Sequence, residues 1–187
     1  MGWNVVGVDI DRQALNEATK KAHQKHVSER CTFVCCDAVD FIATTKEVFD
    51  IVICAEVLEH LSSPSKLLAG CYRVLVDNGI LIVTVPNGLG LTEFLIIKPA
   101  RIFRNILGLS SKIGEVHQQS FRVGQIRRML HLKFEIQYFK CISNLSSFLP
   151  FLVRNRYALW AVRIMTYIPV HAGNGWLIVA RKKEHYT

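Results

Sequence analysis

Acidic residues are scarce in the second half of this chain. Residues 88–187 hold four Asp/Glu against 15 Lys/Arg, whereas residues 1–87 hold 11 against 8, and the whole carries a net charge of +8. A basic half suits an anionic partner such as nucleic acid, a membrane surface or a charged substrate, or else forms a plain solvated face. C-x-x-C pairs are missing altogether. The six cysteines, at 31, 35, 36, 54, 71 and 141, stand in apolar surroundings, so neither a disulfide framework nor a zinc site is expected. They read as reduced, buried thiols of an intracellular protein. No signal peptide is visible, because the chain opens directly on a strand pattern. No uncharged apolar run can span a bilayer either, since Arg154, Arg156 and Arg163 interrupt the best candidate. Internal repeats and low-complexity segments are also lacking. What remains is one cytoplasmic, globular domain over residues 1–187, in contact with a membrane surface at most.

With 50% apolar residues over 187 positions, the chain can build a real core. Trp3 to Val8 reads as a strand, and Asp11 caps a helix over 12–24 with Leu15, Ala18 and Ala22 inward. Cys31 to Cys36 is a second strand, closed by Asp37-Ala38. Phe49 to Ala55 is a third. Ser63-Pro64 opens a helix with Leu67, Leu68, Cys71 and Leu75 buried. Asp77-Asn78-Gly79 turns into a fourth strand, Ile80 to Val85, which Pro86-Asn87-Gly88 stops. Alternating strands and helices imply α/β architecture, a doubly wound and mostly parallel sheet.

After Gly90 the rhythm breaks. Residues 91–119 form a long basic and apolar connection, of the kind that serves as a lid or substrate segment. Ser120 caps a helix with Ile126, Met129 and Leu130 inward, and Lys133 to Ile142 is a strand. Residues 145–170 hold an amphipathic segment, with Val153, Tyr157, Trp160, Ile164 and Ile168 on one face. Trp176 to Ala180 is a last strand, followed by a basic tail.

The stretch Phe49 to His60 carries the most chemistry. Ile51, Val52 and Ile53 suit a parallel strand buried on both faces. Glu56, Glu59 and His60 follow at i, i+3 and i+4, so a helix beginning at Glu56 would present all three on one face. A polar cluster at the carboxyl end of a buried strand lies where open α/β sheets bind ligands.

Five pieces, in order and in register, resemble the class I S-adenosylmethionine-dependent methyltransferases. They are Gly7-Val8-Asp9-Ile10-Asp11, Cys36-Asp37-Ala38, Phe49-Asp50 through Glu59-His60, Gly79 through Asn87, and Trp176 to Lys183. The resemblance implies a Rossmann-like sheet whose last strand is antiparallel. It implies S-adenosyl-L-methionine as cofactor. Asp9 would take the ribose hydroxyls, Ile10 the adenine face, Asp37 the adenine amino group and the Ala38 amide a ring nitrogen. Cys54 and Ala55 would line the methionine end. Read without the family, Asp9 and Asp37 are equally turn or cap carboxylates. The family's first strand, its Gly-x-Gly loop and the helix after it have no match ahead of Trp3. The sequence therefore predicts an N-terminally truncated domain, with two sheet edges facing an empty slot and weak cofactor binding.

Within the family, amino-group methylases carry Asn/Asp-Pro-Pro-Tyr after the third strand seen here, and this chain has Ala55-Glu56-Val57-Leu58. Catechol methyltransferases carry a metal-binding Asp where Ala55 stands. The Glu-Val-Leu-Glu-His run is instead similar to the polyprenyl-quinone O-methyltransferases and to the small-RNA 2′-O-methyltransferases. That likeness implies Glu56, Glu59, His60 and His117 as ligands of Mg²⁺ or Mn²⁺, with the metal lowering the acceptor's pKa. Without metal, His60 or His117 would be the catalytic base. The favoured expectation is O-methylation of a small or lipid-like hydroxyl substrate at or near an anionic membrane surface. RNA methylation comes second, and an inactive fragment or interaction module third. No obligate protein partner is implied.

Overall fold

The computed structural model describes residues 2–87, 121, 123–142 and 175–184. The expected lid at 91–119, the amphipathic segment at 145–170 and His117 lie outside the described residues. Ten elements follow one another: β1 (Val5–Asp9), α1 (Arg12–Gln24), β2 (Cys31–Cys35), α2 (Ala38–Thr44), β3 (Phe49–Ala55), α3 (Pro64–Val74), β4 (Leu75–Pro86), α4 (Val123–His131), β5 (Phe134–Ile142) and β6 (Gly175–Lys182). All six expected strands are present. The α2 helix was not foreseen, and the chain from Glu56 to His60 is not the expected α-helix.

The strands form two sheets. One is the parallel pair β1-β2; the other has the order β3-β4-β6-β5. β3 and β4 are parallel, and β6 runs antiparallel to both β4 and β5. The antiparallel last strand agrees with the resemblance. A continuous seven-stranded sheet is not what the described residues build.

Between β1 and β3 lies a cavity of about 150 Å³, lined by Val6 and Val8 from one side and by Ile51, Ile53 and Cys54 from the other. β3 is therefore an edge strand, with Ile53 65% exposed. This corrects the expectation that the Ile51-Val52-Ile53 run is covered on both faces. Apolar composition alone cannot tell a covered strand from an uncovered edge.

The core sits over the larger sheet. Leu81, Val83, Val85, Ile178 and Ala180 are wholly buried beneath Leu67, Cys71 and Val74 of α3 and Ile126 and Leu130 of α4. Burying a side chain of this size gives about 1.5–3 kcal/mol. α3 starts with Pro64 in its first turn, where the missing N–H costs nothing. α2 packs on α3 closely enough that Gly70 faces Ile42, with no room for a methyl group between them. The Arg73 guanidinium donates to the Ile42 and Thr45 carbonyls, closing the carboxyl end of α2. The end of β6 is anchored too. Lys182 Nζ donates to Leu75 O at 2.7 Å, and Tyr72 donates to Lys183 O at 3.1 Å. Part of what reads as a free basic tail is thus docked. Among the described residues, no helix is long and apolar enough to cross a membrane.

Candidate functional site

The site is built on strand ends. β1 finishes at Asp9, which is exposed, as is Ile10 at 74%. The Asp9 carboxylate accepts the Asp11 N–H at 2.8 Å, and the Asp9 carbonyl accepts the Cys36 N–H at 3.1 Å. These bonds tie the end of β1 to the end of β2. Two residues past β2, Asp37 caps α2, its Oδ1 accepting from Val39 N at 2.7 Å and Asp40 N at 3.3 Å. Both aspartates therefore perform the turn and cap duties that the sequence left open. Each does so through Oδ1, and a carboxylate has a second oxygen to offer a ligand. Asp9, Ile10, Asp37 and Ala38 come together here as one group.

A second group stands at the end of β3. Cys54 is buried, and its Sγ lies 3.8 Å from Cys71 Sγ on α3. Ala55 is exposed. At Glu56 the backbone adopts φ 53°, the left-handed region that a glutamate seldom enters. The Glu56 N–H holds it there by donating to Thr84 O at 3.1 Å and Thr84 Oγ1 at 3.2 Å. Such strain costs about 1–3 kcal/mol and gathers at functional sites. It also explains why no α-helix begins at Glu56: a right-handed helix cannot include a left-handed residue. A 3-10 turn over Leu58–His60 forms instead. Glu59 points into the core with no exposure, while Glu56 and His60 face outward. The single face expected from the i, i+3, i+4 spacing is not formed.

Neither Glu59 oxygen has a hydrogen-bond partner, although His60 Nε2 approaches Oε1 to 3.8 Å. Burial pushes the Glu59 carboxyl up to about 7; the nearby Glu59 backbone amide works against this, and the Glu56 charge adds to it. Among the described residues, no three His, Cys, Asp or Glu side chains gather where they could hold a metal. Glu56, Glu59 and His60 as placed here do not fit Mg²⁺ or Mn²⁺, because Glu59 points inward while the other two point outward. The adenosyl cofactor is a different matter. A widely exposed Ile10 beside two exposed carboxylates suits an aromatic ring and its flanking hydroxyls.

The cavity joins the two groups, since Ala38 and Cys54 both line it. Two contributors escaped the sequence. Thr84, which pins Glu56, looks like any β-branched strand residue. Cys71 could be placed on the buried face of its helix, but nothing in the sequence pairs it with Cys54.

The family described as "Methyltransferase domain" matches residues 1–83. A ubiquinone biosynthesis O-methyltransferase from Glaesserella parasuis is 31% identical over 104 residues, which is 52% of this chain and 42% of that protein. The chain spans less than half the length of the curated relatives it matches. Among solved structures, a putative methyltransferase from Bacillus halodurans superposes with a TM-score of 0.63 at 17% identity, covering 96% of this chain and 83% of the other. The N-methyltransferase NodS from Bradyrhizobium japonicum, in complex with S-adenosyl-L-homocysteine, gives 0.57 at 13% identity, covering 96% and 66%. Residues 1–83 thus match a methyltransferase domain, and the described fold is similar to that of the S-adenosylmethionine-dependent methyltransferases.

Proposed function

We propose that the protein binds S-adenosyl-L-methionine and methylates the hydroxyl of a small or lipid-like acceptor. The observation that carries this reading is the gathering of exposed Asp9, Ile10 and Asp37 at the ends of β1 and β2, beside a cavity that Ala38 shares with Cys54. The cofactor, when bound, supplies a methyl group on a positively charged sulfur. Asp9 holds the ribose hydroxyls through its second oxygen, Ile10 covers one face of the adenine, and Asp37 accepts from the amino group. Ala55 and Cys54 border the methionine end. Transfer to oxygen is an in-line displacement, and the acceptor hydroxyl must lose its proton as the bond forms. His60, exposed and 3.8 Å from the Glu59 carboxylate, is the base at hand, with buried Glu59 as its positioning residue. The O-methyltransferase relative from Glaesserella parasuis supports oxygen as the methyl acceptor, and its name points to a quinone precursor.

Calorimetric titration of the 187-residue chain with S-adenosyl-L-homocysteine tests the cofactor half of the proposal. Saturable binding is expected, weakened tenfold or more in Asp9→Ala, because a charge-assisted hydrogen bond contributes about 1.5–3 kcal/mol. Absence of binding, or an unaffected Asp9→Ala variant, would overturn it. Incubation with a phenolic quinone precursor and, separately, with a short RNA then decides the acceptor. Methylation of the RNA alone would replace the small-molecule reading.

A further inference from the structure

Cys54 and Cys71 are the two buried cysteines among the described residues, and they face each other across the β3–α3 contact at 3.8 Å. Both residues line the cavity between β1 and β3, Cys54 keeping 5% exposure and Cys71 none. A buried thiol sealed in apolar packing is inert. A thiol pair that lines a cavity is exposed to whatever small molecule enters.

We propose that Cys54 and Cys71 form an oxidisable dithiol that reacts with hydrogen peroxide to give a reversible disulfide. Burial favours a small oxidant. Cys54 is only 5% exposed, and a cavity of about 150 Å³ gives a molecule the size of hydrogen peroxide ample room beside it. The two thiols also have distinct roles. Either sulfur can donate to the other, and the contact lowers the Cys54 pKa against the opposing effect of burial and raises that of Cys71. Cys54, the more exposed of the two, is the attacking sulfur, and fully buried Cys71 is the resolving one.

In the first step the Cys54 thiolate attacks one peroxide oxygen. The O–O bond breaks, Cys54 becomes a sulfenic acid, and the departing hydroxide takes a proton to become water. In the second step the Cys71 sulfur attacks the Cys54 sulfur, the S–O bond breaks, and the sulfenic hydroxyl leaves with the Cys71 proton as a second water. Two thiols are oxidised by two electrons and one peroxide is reduced to two waters. The sulfurs need only close from 3.8 Å to the bonded distance of about 2.05 Å. That movement draws α3 toward the end of β3, next to Ala55 and Glu56.

The test is peroxide titration of the whole chain, followed by peptide mapping with and without prior reduction. At one equivalent of peroxide, the expected result is loss of two of the six thiols and a linked peptide pair containing Cys54 and Cys71, which dithiothreitol restores. In Cys71→Ser, dimedone should label Cys54, because the sulfenic acid then has no resolving thiol. Exposed Cys35 is the internal comparator. Oxidation of Cys35 while Cys54 and Cys71 stay reduced would overturn the proposal. So would dimedone labelling of Cys54 in the parent protein with Cys71 still free. Should Cys71→Ser not fold, the peptide map of the parent protein decides the matter alone.

Discussion

At the scale of single residues, Glu59 is the most consequential side chain in the described structure. Its carboxyl is pushed up to about 7 when folded, against about 4.3 in an unfolded chain. Below about pH 4 both states are protonated and burial carries no ionisation penalty. As pH rises toward 7, only the unfolded state ionises, so stability falls by roughly 1.4 kcal/mol per pH unit. Above about pH 7 the loss is complete, at about 4 kcal/mol. Glu59→Gln should remove this slope and be more stable than the parent protein at about pH 8. Urea denaturation across the range checks it; a parent protein of constant stability between about pH 5 and 8 would show that the carboxyl ionises normally. This environment could not be read from the sequence. The spacing of Glu56, Glu59 and His60 fits an α-helix as well as it fits the turn that forms, and nothing in it signals the left-handed φ at Glu56 that sends Glu59 inward.

At the scale of elements, short helices depend on their ends. α2 is seven residues long, and Asp37 satisfies two of its free N–H groups. Asp37→Ala should cost about 1 kcal/mol, whereas Asp37→Asn, an equally good cap, should be nearly neutral. Thermal melts of the two variants separate capping from charge. The same helix shows where sequence reasoning runs short. Its Ala-Val-Asp-Phe-Ile-Ala-Thr sequence is rich in β-branched residues and too short for a helical period to emerge. The N-cap aspartate was its one available signal. The six strands were legible because each carries an apolar or alternating run, and β1, β2 and β4 close on Asp or Pro. Whether a neighbour covers the run is a property of the assembled sheet, and β3 was misread for that reason.

For the molecule as a whole, the division into two sheets is the dominant fact. Val5 and Ile53 lie on strands that border the cavity, and they are 46% and 65% exposed. An uncovered apolar edge strand is a template for pairing with another chain. The protein should self-associate with rising concentration, and Ile53→Lys should suppress this while changing stability by no more than about 0.5 kcal/mol. Light scattering and a denaturation curve, measured together, test both parts. Unchanged association in Ile53→Lys would move the sticky surface elsewhere.

The order β3-β4-β6-β5 also has a consequence for how the protein is made. β6, an inner strand, follows the other three strands of its sheet in the chain. Chains emerge at about 5–20 residues per second and fold from the N-terminus where they can. Here the inner edges of β4 and β5 have no partner until Gly175–Lys182 leaves the ribosome. The larger sheet is consequently completed only once β6 has emerged, and in a nascent chain stalled before Gly175 the segment Phe134–Ile142 should remain open to protease.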